Sequence, residues 1–196
     1  SRFFLILKKR HQSEGSRFGS FIADNLTSPA FTPHEIAPRQ PPRLRSRLFQ
    51  VSCGLRHSAM LTKDGGLLVA GTGSKGQLGL GDNFDDNNYL SISKVPELEE
   101  IASIASGQHH TVVMKEDGTV YSWGENKFGQ LGIDPNISNS FVPMEILHDV
   151  DLASVYAGWT HTAALSKSGE VFTWGRNTYG QLGAARELTH KPEKVT

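Results

Sequence analysis

The sequence predicts an all-β fold: a partial β-propeller of three antiparallel blades behind a flexible, basic amino-terminal segment. Three observations predict it. One unit of sequence recurs three times in register, each copy carries a glycine-centred hairpin turn, and the strands beside that turn are apolar on both faces.

Val51–Gly79 reads VSCGLRHSAMLTKDGGLLVAGTGSKGQLG. It returns as IASGQHHTVVMKEDGTVYSWGENKFGQLG over Ile104–Gly132 and as VYAGWTHTAALSKSGEVFTWGRNTYGQLG over Val155–Gly183. Gly54, Gly107 and Gly158 lead each copy, and His57, His110 and His161 follow three positions later. Gly71, Gly124 and Gly175 stand fourteen residues beyond each histidine. GQLG closes each copy, bounded by Gly76 and Gly79, Gly129 and Gly132, and Gly180 and Gly183. A period of 51–53 residues marks a chain built from stacked units. The units are placed at 49–100, 101–151 and 152–196, the last expected to be incomplete.

The turn comes first. LTKDGGLL, MKEDGTVY and LSKSGEVF set Gly65, Gly118 and Gly169 between two apolar runs, where glycine accepts the positive φ that a tight hairpin needs. After the turn, Leu68 and Ala70, Tyr121 and Trp123, and Phe172 and Trp174 share one face by the period of two. Leu67 and Val69, Val120, and Val171 occupy the other. Strands apolar on both faces are covered on both, so each sheet should be sandwiched between neighbours. Units of about fifty residues, made of short strands and packed on both sides, describe propeller blades.

Residues 1–48 differ in character. They carry TSPAFTP and APRQPPRLR without periodicity, and nine Lys or Arg against three acidic groups, whereas the remainder carries eleven against seventeen. Such a segment is expected to be flexible, because it buries too little apolar surface to offset its ordering entropy. Formal charge over the chain is zero, so no global attraction to nucleic acid or anionic membrane is expected. Cys53 is the only cysteine, which excludes an intrachain disulfide and a cysteine-built zinc site and points to a reduced, intracellular setting, cytoplasmic or nuclear. The glycosylation patterns at Asn25 and Asn136 would there go unmodified. No apolar run approaches the ~18 residues of a membrane span, and Phe3–Leu7 is a poor signal core.

Gly71–Gly76 fits the G-x-G-x-x-G spacing of a dinucleotide turn, with Lys75 inside it. The repeats argue against that reading. Gly73 is replaced by Asn126 and Asn177, and no helical pattern follows to supply an amide-lined terminus. Glycine or asparagine at that place predicts a left-handed backbone instead. The histidines recur one per unit, so they are read as structural, with a ring nitrogen bonded to nearby backbone. Trp123 and Trp174 are read as buried between blades, with Ala70 as the exception in the first unit. The acidic stretch Asp82–Asp86 lacks the spacing of a calcium loop and is read as solvated. No cofactor, metal or catalytic constellation is expected.

G-x-x-H, then D-G or S-G, then W-G, then G-Q-L-G: by these marks the chain resembles the regulator-of-chromosome-condensation repeat family over residues 49–183. The resemblance implies a propeller of seven four-stranded blades, so this chain is expected to be a fragment of one. HKPEKVT at the end resembles FVPMEIL (Phe141–Leu147) as the start of a connecting strand. Within the family, Gly158–Gly183 is most similar to the branch of secretion-regulating guanine nucleotide exchange factors. The branch of plant ultraviolet receptors repeats Gly-Trp-Arg-His-Thr. Here Trp159 alone matches the tryptophan, with Leu55 and Gln108 at the other two places, so a tryptophan light sensor is not expected.

What the resemblance implies is a protein-interaction scaffold whose partner is a small GTPase or a trafficking component, with exchange activity on a small GTPase as the sharper form. The segments between units, 80–100 and 133–151, carry acidic groups suited to steering a basic partner. The alternative is a chromatin- or nucleus-associated propeller that uses the basic segment. Nucleic acid is disfavoured as a partner, since Arg39, Arg43, Arg45 and Arg47 alternate with proline and not with stacking aromatics.

Overall fold

The computed structural model describes residues 48–81, 91–185 and 187–195. The expectations for the basic amino-terminal segment and for Asp82–Asp86 fall outside these residues. Twelve strands form three four-stranded antiparallel sheets, each in simple sequence order, with no helix among the described residues. The first blade holds β1 (Leu48–Cys53), β2 (His57–Thr62), β3 (Leu67–Gly71) and β4 (Ser93–Lys94). The second holds β5 (Ile101–Ser106), β6 (His110–Lys115), β7 (Val120–Glu125) and β8 (Asn139–Leu147). The third holds β9 (Leu152–Ala157), β10 (His161–Ser166), β11 (Val171–Arg176) and β12 (Leu188–Lys194). The unit expected to be incomplete therefore has its fourth strand: HKPEK lies in β12, the counterpart of β8.

Each hairpin closes where the glycine predicts. Gly65, Gly118 and Gly169 have φ of 76°, 89° and 89°, and Thr62, Lys115 and Ser166 donate backbone N–H to Gly66, Thr119 and Glu170. The first strand of every blade shifts register at the same point, between Leu48 and Gln50, Ile101 and Ser103, and opposite Leu165–Ser166. A recurring bulge adds twist, which suits sheets that stack around an axis.

The blades lean on one another through two cores. Ala59, Leu61, Leu67, Val69 and Val95 of the first blade meet Ile101, Ile104, Val113 and Trp123 of the second. Val112, Met114 and Val120 on the second blade's opposite face meet Leu152, Val155, Ala164 and Trp174 of the third. The Trp-bearing face of a blade thus looks back at the preceding one. Sandwiching is visible in the burial of the second strands. In the middle blade, His110–Met114 is buried without interruption, whereas β2 and β10 alternate. On the first blade's unpaired face Phe49 and Val51 are 67% and 55% exposed; on the third blade's, Tyr156 and Val171 are exposed. Near the inner edge the Gln50 amide grips the backbone of one residue of β5, donating to Ile104 O at 2.9 Å and accepting from Ile104 N at 3.2 Å.

Candidate protein-interaction site

The strand ends that carry the G-x-x-H turns also carry the GQLG loops, because His57, His110 and His161 pair directly with Gly71, Gly124 and Gly175. One end of the sheet stack is therefore framed entirely by repeat marks. The frame is locked across each junction. His57 Nε2 lies 3.0 Å from Thr111 Oγ1, whose hydroxyl donates to Gln77 O at 2.8 Å. His110 Nε2 lies 3.1 Å from Thr162 Oγ1, which donates to Gln130 O at 2.7 Å. Since the threonine hydroxyl is committed as donor to a carbonyl, it accepts from the ring, and Nε2 of each histidine carries the proton. Nε2 of each ring thus reaches the backbone through a relay, by way of a hydroxyl of the next blade.

Burial pushes both rings far from their ordinary range. The His57 pKa falls to about 4 and that of His110 to about 3, through desolvation first and neighbouring histidines second. Desolvation also lowers His161, whose ring is only partly buried. Gly54, Gly107 and Gly158 lie flat against these rings. A Cβ on Gly54 would sit 2.1 Å from His57 Cε1, and those on Gly107 and Gly158 would sit 2.0 Å from Cε1 of His110 and His161.

The GQLG glycines serve the same junctions. Trp123 is fully buried and donates its indole N–H to Gln77 O at 3.0 Å. A Cβ on Gly79 would meet that indole nitrogen at 2.8 Å, and one on Gly132 would meet the Trp174 nitrogen at 3.1 Å. Gly76 and Gly129 abut the fourth strand of the next blade, near Ser140 O and Thr189 O. Gly180 has open space at its side, where no described blade follows; Gly183 is bordered by Val195 of its own blade.

Asn126 and Asn177 correct the expected left-handed backbone. Among non-glycine residues only Glu97, Glu100 and Asp149 have positive φ in the described residues, and Gly73 is not among the glycines that do. Asparagine is used for its amide. Asn126 accepts from Leu131 N at 3.1 Å and donates to Ile137 O at 2.8 Å; Asn177 accepts from Leu182 N at 2.8 Å and donates to Ala184 O at 2.7 Å. Ser122 and Thr173 add hydroxyl bonds to Leu131 O and Leu182 O.

On this fixed frame some matched surface positions, exposed or half-buried, differ from blade to blade. Leu55, Gln108 and Trp159 occupy one such place, and Lys75, Phe128 and Tyr179 another. Trp159 is 66% exposed and Tyr179 86%. Arg176 stacks over the Phe128 ring at 4.8 Å, a cation–π contact between adjacent blades. No group of three or more His, Cys, Asp or Glu able to hold a metal ion occurs among the described residues, and no helix there is long and apolar enough to cross a membrane. The threonines of the relays were missed from sequence, although a hydroxyl follows every histidine of the repeat: Ser58, Thr111 and Thr162.

Three comparisons set this frame among known proteins. The pattern described as the regulator of chromosome condensation (RCC1) repeat matches residues 64–114, 117–165 and 168–196. The chain belongs to the RCC1 repeat family. A second pattern of that description matches 50–77, 101–130 and 153–181. Among curated relatives, the ultraviolet-B receptor UVR8 of Arabidopsis thaliana is 36% identical over 152 residues, covering 76% of this chain and 34% of the receptor. The human protein named probable E3 ubiquitin-protein ligase HERC3 is 39% identical over 150 residues, covering 72% of this chain and 14% of the ligase. The chain thus spans about a third of one relative and about a seventh of the other. Of solved structures, human WBSCR16 superposes with a TM-score of 0.69 at 27% identity, covering 77% of this chain and 40% of that one. Prp20p of Saccharomyces cerevisiae gives 0.67 at 23% identity, with 81% and 41% covered, a likeness of fold. The three sheets are RCC1-type propeller blades.

Proposed function

We propose that these blades form the interaction surface of a propeller scaffold whose partner is a small GTPase, in the finer reading one that acts in trafficking or secretion. One observation carries the proposal: a buried, repeated frame of glycine, histidine and tryptophan holds surface side chains that change from blade to blade, as do exposed Leu55, half-buried Gln108 and exposed Trp159. A surface that varies on a rigid support is how a scaffold acquires a partner. The yeast neighbour of like fold, Prp20p, was solved in connection with its binding to Gsp1p and histones, which supports the choice of partner class. An intracellular setting, cytoplasmic or nuclear, goes with this reading.

The test is a panel of purified small GTPases loaded with fluorescent GDP. Binding to the immobilised chain with unchanged nucleotide release identifies a scaffold, and accelerated release identifies an exchange factor. No binding across the panel overturns the GTPase reading. A chromatin role is the second reading, favoured by the basic composition of residues 1–48 and by the histones that Prp20p binds. It requires DNA or histone binding that weakens steeply with salt and disappears on deletion of that segment.

A further inference from the structure

Among the described residues β4 has two residues and β8 nine. Between β4 and β5 the chain turns through Pro96–Glu100. This turn, Leu80 and Gly81, Tyr121 and Lys115, and Val142 and Pro143 enclose a cleft of about 740 Å³ at the first junction. That size is within the ~300–1,000 Å³ of sites that hold compact ligands or side chains.

Apolar and polar groups share the lining of the cleft, and one rim is acidic. Leu80, Leu98, Tyr121 and Val142 line it, with Val142 48% exposed. Glu97, Glu99 and Glu100 stand together along the turn. Glu99 pairs with Lys94 at 3.1 Å, while Lys115 lies 3.9 Å from Glu100 and 3.4 Å from Asp117. Two lysines therefore face four carboxylates, and Glu97 has no cation partner among the described residues. An anionic ligand is repelled here. A cation-bearing one gains the unmatched charge and, through the floor, the burial of an apolar group.

We propose that this cleft receives an extended segment of a partner protein in which an apolar side chain is flanked by Lys or Arg. The inference rests on the partner-binding reading above and locates one contact of it. The apolar residue enters between Leu98 and Val142, and the flanking cations meet Glu97 and Glu99 at the rim.

The experiment uses the whole chain and a fluorescein-labelled peptide, Lys-Lys-Leu-Lys-Lys, with Lys-Lys-Ser-Lys-Lys and Glu-Glu-Leu-Glu-Glu as comparisons. Fluorescence anisotropy should show binding of the first peptide about tenfold tighter than the second and none of the third. The double variant Glu97→Gln, Glu99→Gln should lose about tenfold in affinity with an unchanged unfolding curve, since both side chains are exposed, and V142R should block the peptide. A photo-crosslinker in place of the leucine should label residues within 79–81, 96–100 or 142–143. The proposal is overturned if no basic peptide binds, if serine serves as well as leucine, or if the double variant binds unchanged. GTPase binding that survives the double variant while the peptide arm fails removes the cleft and leaves the scaffold reading standing.

Discussion

In the second blade, one asparagine holds the loop after the third strand: Asn126 reaches Leu131, Ile137 and Asp134 with a single amide. In the first blade, the same loop has Gly73 at that place and Val69 where the second has Ser122. It is held chiefly by its own backbone, Gly76 N to Gly73 O and Gly79 N to Gly76 O, and by Gln77 Oε1 on Lys75 N. The first blade also carries Ala70 where the others carry Trp123 and Trp174. These departures have different physical reasons. Ala70 concerns the face shared with Val51 and Phe49, against which no described blade packs. Gly73 concerns bracing within the blade, and the loop tolerates its loss because the glycine turns persist. What is shared by all three repeats is what shapes the turns and joins one blade to the next.

The largest test of this contrast is Trp123→Ala, which empties the first junction and should cost about 3–5 kcal/mol in denaturant unfolding. A cost under about 1 kcal/mol would mean that the junction is not built on the indole. Next comes acid. His57 and His110 are held neutral, with pKa values of about 4 and about 3. The unfolded chain takes up protons as pH falls below about 6.5, before the folded chain does, so stability present at neutral pH is lost on descending toward the folded values. At ~1.4 kcal/mol per pKa unit, His57 alone contributes on the order of 3 kcal/mol between pH 6.5 and 4. The denaturation midpoint should fall through that window. His57→Gln should flatten the dependence, and an unaltered slope in that variant would remove His57 from the account.

Smaller again is Asn126→Ala, which leaves Leu131 N and Ile137 O without their partner and should cost about 1–3 kcal/mol. The matching change in the first blade, Gly73→Ala, removes no side-chain bond, so equal losses from the two would dissolve the difference between the loops. Smallest is Ala70→Trp, expected within about 0.5 kcal/mol in the isolated chain because no described neighbour receives the ring. A clear gain in melting temperature would show that this face is covered in solution.

Much of this was legible in the sequence, for a definite reason. A residue that fills the same space in every unit leaves a periodic trace, and three traces in register specify the blades, the hairpins and the inward tryptophans. Relations between units left none so direct. The hydroxyl relay had to be seen across a junction, since His57 and Thr111 are 54 residues apart, even though His-Ser, His-Thr and His-Thr stand in plain view. Gly73, Asn126 and Asn177 misled in another way. Two residue types that share a backbone preference suggested that preference, whereas the asparagines act through their amides. The cleft was invisible for a third reason. It comes from the turn at Pro96–Glu100, a feature that belongs to one junction and does not repeat.

Thr111 and Trp123 both address the carbonyl of Gln77, and Thr162 addresses that of Gln130. Every amino acid offers a carbonyl. A module that docks onto its predecessor through this group and through the histidine and GQLG glycines asks of it marks that every copy of the repeat already carries. Duplicating, deleting or shuffling such modules within a gene therefore needs few matched substitutions in the flanking copy, and exposed positions are free to diverge after each duplication. A lineage can lengthen or shorten its ring first and acquire new partners afterwards.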